Sequence, residues 1–404
     1  MSTFLTTDDT LFLTELNDKK LLKSIIRNAP ITKSIKVDKY AERSGVDVYF
    51  RGRNPLDPVD GETAESVQLT DPTGVQPTSR KIQSTLYTLQ NMINPSWLEK
   101  KVTFDGLKGL HNLLVGNMKE SIEKHNIKMI TPDIITFLAD WDNSTPYQKQ
   151  FVSTGAGSTT TVVNSLFTEA DDYWIPSYVM PLDLNNVNYG QQRLADAFTQ
   201  SGAIVRVDTA WNAASGTGNT FHIANVAGLT TGDKMTVDLI GKVMAYLGEG
   251  SLNITSTDGY LFPNAYGMGF RMFMSSLDYG DLINDTNWKA WATYNDKSTG
   301  FKKWSVGNVY SNEIMKYAMT YRESVARAYS ATGAVFSTIG LGPECARRLE
   351  LEKPITTLVG GRGNPDSNNP LGKSIKMSWE TTYAVKVVVG TDGFVLKTVP
   401  TSLN

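Results

Sequence analysis

From Ile375 to Val389 apolar and aromatic side chains recur at every second position, through Met377, Trp379, Tyr383, Val385 and Val387. Lys376, Ser378, Glu380, Thr382 and Lys386 fill the places between. This alternation predicts one strand with the first set against a core and the second on the opposite face. At about 3.3 Å per residue it would span roughly 50 Å, far beyond an ordinary globular strand. Gly390-Thr-Asp-Gly393 then predicts a turn into a second strand, Phe394 to Val399, closing a hairpin. So long a strand suits an extended, plate-like molecule better than the frame of a compact active site.

Elsewhere the spacing changes to three and four. Leu107, Leu110, Leu114, Met118 and Ile122 predict a helix over Lys101 to Asn126, with Asp105 as N-cap, a Glu120/Lys124 pair one turn apart, and Asn126 at its end. Gly106, Gly109 and Gly116 within it suggest close approach of another backbone. Thr236, Leu239, Ile240, Val243, Met244 and Leu247 predict a second helix stopped by Gly248, and Pro343 a short third one. Strand-like pieces fall near 270–274, 306–310 and 334–339. Residues 127–234 carry Gly/Ser/Thr clusters and no clear period.

Near the start, residues 1–33 read as an arm with one short helix. Ile35, Val37, Val46, Val48 and Phe50 alternate, and so do positions in a Thr-, Leu- and Tyr-rich run from Ile82 to Ile93. Between them lie Pro55, Pro58, Pro72, Pro77, Gly52, Gly61 and Gly74 among few apolar residues, too few to build a core. Two strand-like arms flanking a polar tip predict a projecting hairpin. The tip is acidic, with Asp57, Asp60, Glu62, Glu65 and Asp71, and the root is basic, with Arg51, Arg53, Arg80 and Lys81. The expected role of these residues is contact between subunits, tip to basic surface in a head-to-tail ring.

Composition narrows the function classes. At 404 residues the chain is long enough for two or three subdomains. Lys plus Arg number 39 against 41 acidic residues, without a run of either sign, so a nucleic-acid-tracking stripe is not expected. Cys345 is the single cysteine, which excludes an internal disulfide and fits folding in a reducing cytoplasm. The first residues carry acidic side chains and no basic n-region, so no secretory signal is expected. No apolar stretch reaches membrane-spanning length.

Motifs for chemistry are weak. Gly155-Ala-Gly-Ser-Thr-Thr-Thr161 lacks the lysine of a phosphate loop and reads as a surface loop. Gly360-Gly-Arg-Gly363 lacks the last glycine of a dinucleotide fingerprint and precedes a strand rather than following one. His111 and His125 would lie about 21 Å apart on one helix, so they cannot share a metal, and His222 has no second ligand near it; no metal and no cofactor are expected. Cys345 would sit in the first turn of the Pro343 helix, where a thiolate is favoured, or simply fill space as a small buried side chain. Glu169, Asp171 and Asp172 beside Trp174 form the best enzyme candidate, a carboxylate pair next to a stacking ring for glycoside chemistry. Asp140-Trp-Asp142 and Asn287-Trp-Lys-Ala-Trp291 repeat that combination.

The last quarter carries a resemblance. Gly333-Ala-Val-Phe-Ser-Thr-Ile339, Leu341-Gly-Pro-Glu-Cys-Ala-Arg-Arg-Leu349, Gly363-Asn-Pro-Asp-Ser-Asn-Asn-Pro-Leu-Gly372 and Met377-Ser-Trp-Glu-Thr-Thr-Tyr-Ala-Val-Lys-Val387 resemble major capsid proteins of tailed double-stranded-DNA bacteriophages. The Asn-Pro-Leu-Gly loop before a Trp-containing strand is most similar to the podovirus group whose virions carry a giant RNA polymerase. Met235 to Leu247 and Tyr279 to Trp291 are similar to that group too.

The resemblance implies an α+β, HK-ninety-seven-like fold. Its parts would be an N-terminal arm (1–33), an E-loop hairpin (34–100), a spine helix (101–130), a peripheral domain with an elaboration (131–234), an axial domain (235–372), and a long peripheral-domain strand and hairpin (373–404). It implies a non-enzymatic coat subunit that forms hexamers and pentamers of an icosahedral head. The implied partners are other copies of itself, portal, scaffolding or decoration proteins, and packaged double-stranded DNA held without sequence-specific contact, with no membrane. The protein would be assembled in the host cytoplasm and reside in the virion. An encapsulin-like compartment shell, a tail or fibre protein and a carbohydrate-active enzyme stay open as alternatives.

Overall fold

The structure is a computed structural model. It describes residues 30–39, 48–53, 79–93, 106–139, 148–182, 187–188, 191–225, 229–230, 232–249, 270–289, 305–309, 312–316, 335–342, 345–351, 355–360 and 375–401. In chain order the elements are α1 (Pro30–Ser34), β1 (Lys36–Lys39), β2 (Val48–Arg53), β3 (Ser79–Ser84), β4 (Tyr87–Ile93), α2 (Gly106–Ile130), β5 (Ile135–Leu138), β6 (Gln148–Val152), β7 (Thr161–Val163) and β8 (Ser177–Pro181). Then come β9 (Arg193–Thr199), β10 (Ile204–Val207), β11 (Thr220–Asn225), α3 (Val237–Glu249), β12 (Arg271–Met274), α4 (Ser276–Asn284), β13 (Ser305–Val309) and β14 (Asn312–Lys316). The last are β15 (Phe336–Leu341), β16 (Ala346–Glu350), β17 (Ile355–Gly360), β18 (Ile375–Val387) and β19 (Gly393–Thr398).

The chain divides into two units, one of Met1–Val48, Thr85–Met129 and Arg348–Val385, the other of Tyr49–Ser84, Ile130–Arg347 and Lys386–Asn404. In the first, β18 lies in a sheet of order β1-β16-β18-β17, with β4 on its other side. Met377, Trp379, Thr381, Tyr383 and Val385 are buried, while Glu380 is exposed and Lys376, Ser378 and Thr382 are half-buried. The expected register therefore holds. Leu114 of α2 packs on Met377 and Trp379, with Leu89, Ile93 and Met118 partly buried around them.

Three local expectations need correction. β18 and β19 do not pair; Gly390–Asp392 is a single 3₁₀ turn, and β19 lies between β15 and β5 in another sheet. All six residues of β19 are buried, which is what a central strand requires and a hairpin edge does not. The segment after Pro343 is not a helix but β16, where Ala346 and Arg348 are buried and Arg347 between them less so. Pairing with β18 overrides the helical preference of Arg-Arg-Leu-Glu. α2 runs on to Ile130, so Asn126 does not end it; its buried side chain donates to Thr32 Oγ1 at 2.8 Å.

Gly116 also departs from expectation, since a Cβ built there would meet nothing within 4 Å. Among the described residues no backbone crowds it, so the glycine only loosens α2. Gly116→Ala is expected to stabilise the subunit by about 0.5 to 1 kcal/mol, read as a raised midpoint in urea unfolding. A lowered midpoint would show that something does pack there.

The second unit holds two six-stranded sheets and the paired strands β2 and β3. One sheet, β6-β11-β8-β9-β10-β7, wraps a core of its own around Phe151, Phe167, Trp174, Phe198, Trp211 and Phe221. The other, β13-β14-β12-β15-β19-β5, packs under α3, whose Leu239, Ile240, Val243 and Leu247 are buried. Thr236 caps α3 as expected, its Oγ1 accepting from Leu239 N–H at 3.1 Å, although the helix passes Gly248 to Glu249. Gly340 in β15 allows close approach of Phe394, because a Cβ there would stand 2.2 Å from that ring.

His222 sits fully buried where β5, β11 and α3 meet. Its Nε2 donates to the Thr136 carbonyl at 3.1 Å, so its Nδ1 accepts from the Tyr246 hydroxyl at 2.8 Å and the ring is neutral. Burial drives its pKa down to about 4, with the Thr136 bond opposing. An unfolded His protonates near 6.5, so below that pH the unfolded state binds a proton that the folded state refuses. This contribution is present above pH 6.5 and is lost as pH falls to about 4, a loss of about 3 kcal/mol. Asp278 works the other way: burial raises its carboxyl pKa, so its contribution is lost as pH rises through that folded value. In unfolding titrations the His222→Gln variant is expected to show a flatter fall in stability between pH 6.5 and 4 than the parent; equal slopes would refute the assignment.

Candidate assembly site

The four basic root positions fall on two paired strands. Arg51 and Arg53 lie in β2 and Arg80 and Lys81 in β3, and these two strands pair as a separate two-stranded ribbon. The acidic positions Asp57, Asp60, Glu62, Glu65 and Asp71 lie outside the described residues, as does N-cap Asp105.

A second feature was not legible in advance: the anchorage of α1 on α2. Glu123 is 1% exposed, and its carboxylate accepts from Ile31 N–H and Thr32 N–H, both at 2.8 Å, and from the Thr32 hydroxyl at 2.5 Å. These amides belong to the first turn of α1, where backbone donors lack intrahelical partners, so Glu123 caps that helix from a distance. Ile31 and Ile35 are buried beside it. A five-residue helix has little stability of its own, and this contact supplies what propensity does not. The only sequence signal was weak: Glu123 stands four and seven residues before Ile127 and Ile130, so a charge shares a helix face with two isoleucines.

Farther along α2, His125 Nδ1 meets the Tyr383 hydroxyl at 2.8 Å, and the edge of its ring packs on Tyr87. Arg348 lies 4.1 Å from the Tyr383 ring centre and 3.3 Å from Glu350. Burial lowers the His125 pKa, and Lys128 and Arg348 lower it further. These groups tie α2 to β4, β16 and β18.

Among the described residues, the enzyme candidate around Glu169 resolves into framework. Trp174 is fully buried and offers no stacking face. Glu169 pairs with Lys149 at 2.6 Å; burial alone would raise its carboxyl pKa, but the bond and charge of Lys149 outweigh that and lower it. Asp171 accepts from Gln200 N–H at 2.7 Å, and Asp172 adopts a left-handed backbone with φ 58°. Both are turn residues. Of the other combinations, Trp288 packs on the α3 core, and Asp140, Trp141, Asp142 and Trp291 lie outside the described residues.

The Gly155–Thr161 loop is pinned by backbone bonds between Gly157 and Ser215 and between Ser215 and Ser158. Cys345 is buried, and burial followed by the charge of Asp392 raises its thiol pKa well above the ordinary value, the opposite of a reactive thiolate. Among the described residues no cluster of three or more metal-binding side chains occurs, and no helix is long and apolar enough to cross a membrane.

No protein-family profile matches the chain, and no curated protein matches it by sequence. Solved structures do match by shape. The acid-stable capsid structure of Helicobacter pylori bacteriophage KHP30 is similar over 99% of this chain and 99% of that one, with 9% identity and a TM-score of 0.52. The capsid of Ralstonia phage GP4 is similar over 92% of this chain and 88% of that one, with 10% identity and a TM-score of 0.50. The α+β chain thus has the HK-ninety-seven-like fold of tailed-phage capsid proteins.

Proposed function

We propose that this chain is a major capsid protein, a non-enzymatic coat subunit whose copies form the hexamers and pentamers of an icosahedral bacteriophage head around double-stranded DNA. The observation that carries the reading is the extent of the fold match, which spans 99% of this chain and 99% of the KHP30 capsid chain. The conversion of the best acid–base candidate into a Lys149–Glu169 ion pair around a buried Trp174 supports it from the other side. Within this reading the place of the protein is the virion, its partners beyond itself are portal and scaffolding or decoration proteins, and the packaged DNA is held without base readout. The Asn-Pro-Leu-Gly sequence before the Trp379 strand supports membership of the podovirus group with a virion-packaged polymerase.

Electron microscopy of the wild-type protein co-expressed with the other head proteins of its phage tests the reading. Closed shells, or tubes built of capsomers, are expected. A subunit that stays monomeric under all these conditions would overturn it.

A further inference from the structure

β4 pairs with β18 without a break, from Tyr87 opposite Tyr383 to Ile93 opposite Met377. Its other edge meets no strand among the described residues. Thr88, Gln90 and Asn91 are exposed, and Met92 is 51% exposed. The seven residues Tyr-Thr-Leu-Gln-Asn-Met-Ile contain no charge, proline, glycine or bulge. The sheet's other margins are different in kind: β1 reads Lys-Val-Asp-Lys, and β17 follows directly on Lys353-Pro354. Charges and proline are the usual protection of a strand edge, and an edge without them is a template for another strand.

We propose that this edge joins two copies of the chain, β4 of one subunit pairing antiparallel with β4 of another about a twofold axis at Gln90. The proposal rests on the coat-subunit reading above. The basic β2–β3 ribbon of a neighbour would find no complementary charge on β4, whereas β4 against itself opposes no like charges. In this register Tyr87 faces Ile93, Thr88 faces Met92, Leu89 faces Asn91, and Gln90 faces its own copy, where the two amides can bond to each other. A twofold contact of this sort uses one patch twice. A single strand edge covers too little area for a stable free dimer, so the contact belongs to assembled material.

Cys345 is the only native cysteine and is buried, so an introduced thiol reports alone. Directly opposed antiparallel residues have Cα atoms about 4.5 to 5.5 Å apart, within disulfide reach. Oxidised particles of the Gln90→Cys variant are expected to run mainly as dimers on non-reducing gels, and Thr88→Cys particles as monomers. The double variant Thr88→Cys/Met92→Cys should dimerise again. Normal Gln90→Cys particles that give no dimer, or Thr88→Cys particles that dimerise as readily, would overturn the pairing while leaving the coat reading intact. If wild-type protein forms no particles, the coat reading fails and the pairing, which rests on it, falls with it.

Discussion

Replacing Trp379 by alanine is expected to destabilise the subunit by about 3 to 5 kcal/mol. The indole is 2% exposed and packs with Met377 and Leu114, the partly buried Leu89, Ile93 and Met118 closing the cluster. Its Nε1 donates to Asn117 Oδ1 at 3.2 Å, and the same oxygen accepts from Asn91 Nδ2 at 2.8 Å. Asn117 is exposed and can turn to water when the indole is gone, so little of the loss comes from that bond. Most comes from the cavity left between α2 and β18, which neither element can close without breaking its own hydrogen bonds. Trp379→Phe keeps much of the volume and should lose distinctly less. Urea unfolding of the three proteins decides it: a loss below about 1 kcal/mol for the alanine variant would mean that α2 does not depend on this cluster.

How much of this was readable follows from the physics of each segment. β18 announced itself because one face is a continuous core against α2 while the other keeps Glu380 exposed, and a strict period of two survives only under such a one-sided burial. α2 and α3 were visible for the parallel reason, with Leu114 and Ile122, and then Ile240, Val243 and Leu247, each one turn or two apart on a buried face. The region from β6 to β11 gave no such signal. Its strands have three to seven residues, and β9, Arg-Leu-Ala-Asp-Ala-Phe-Thr, places small Ala195 and large Phe198 in the core three positions apart. β16 was misread because its helix-favouring residues are held extended by β18, a partner about thirty residues away in sequence that no local pattern displays. Glu123 shows the same limit at the site: its place on the face of Ile127 and Ile130 was visible, but the amides that it caps lie ninety-one and ninety-two residues earlier.

Deleting residues 55–77 and bridging the gap with a short Gly/Ser linker is expected to abolish shell formation while leaving a folded, soluble subunit. The strands β2 and β3 remain to pair with each other, and Phe50 and Ser84 on them are buried, so the root keeps its own attachment. The removed stretch contains Asp57, Asp60, Glu62, Glu65 and Asp71 and few apolar side chains, so it has little to gain by folding onto its own subunit. Its proposed use is to reach a basic surface of a neighbour. Each exposed pair there is worth only about 0.2 to 1 kcal/mol, but a ring repeats the contact at every subunit. Raised salt should therefore weaken wild-type assembly in the same direction as the deletion, though less completely. Circular dichroism and unfolding midpoints close to the parent, together with an absence of particles by electron microscopy, are the expected pair of results. Normal particles from the shortened chain would remove the hairpin from the assembly contact, and so would a chain that no longer folds, since the segment would then be serving its own subunit.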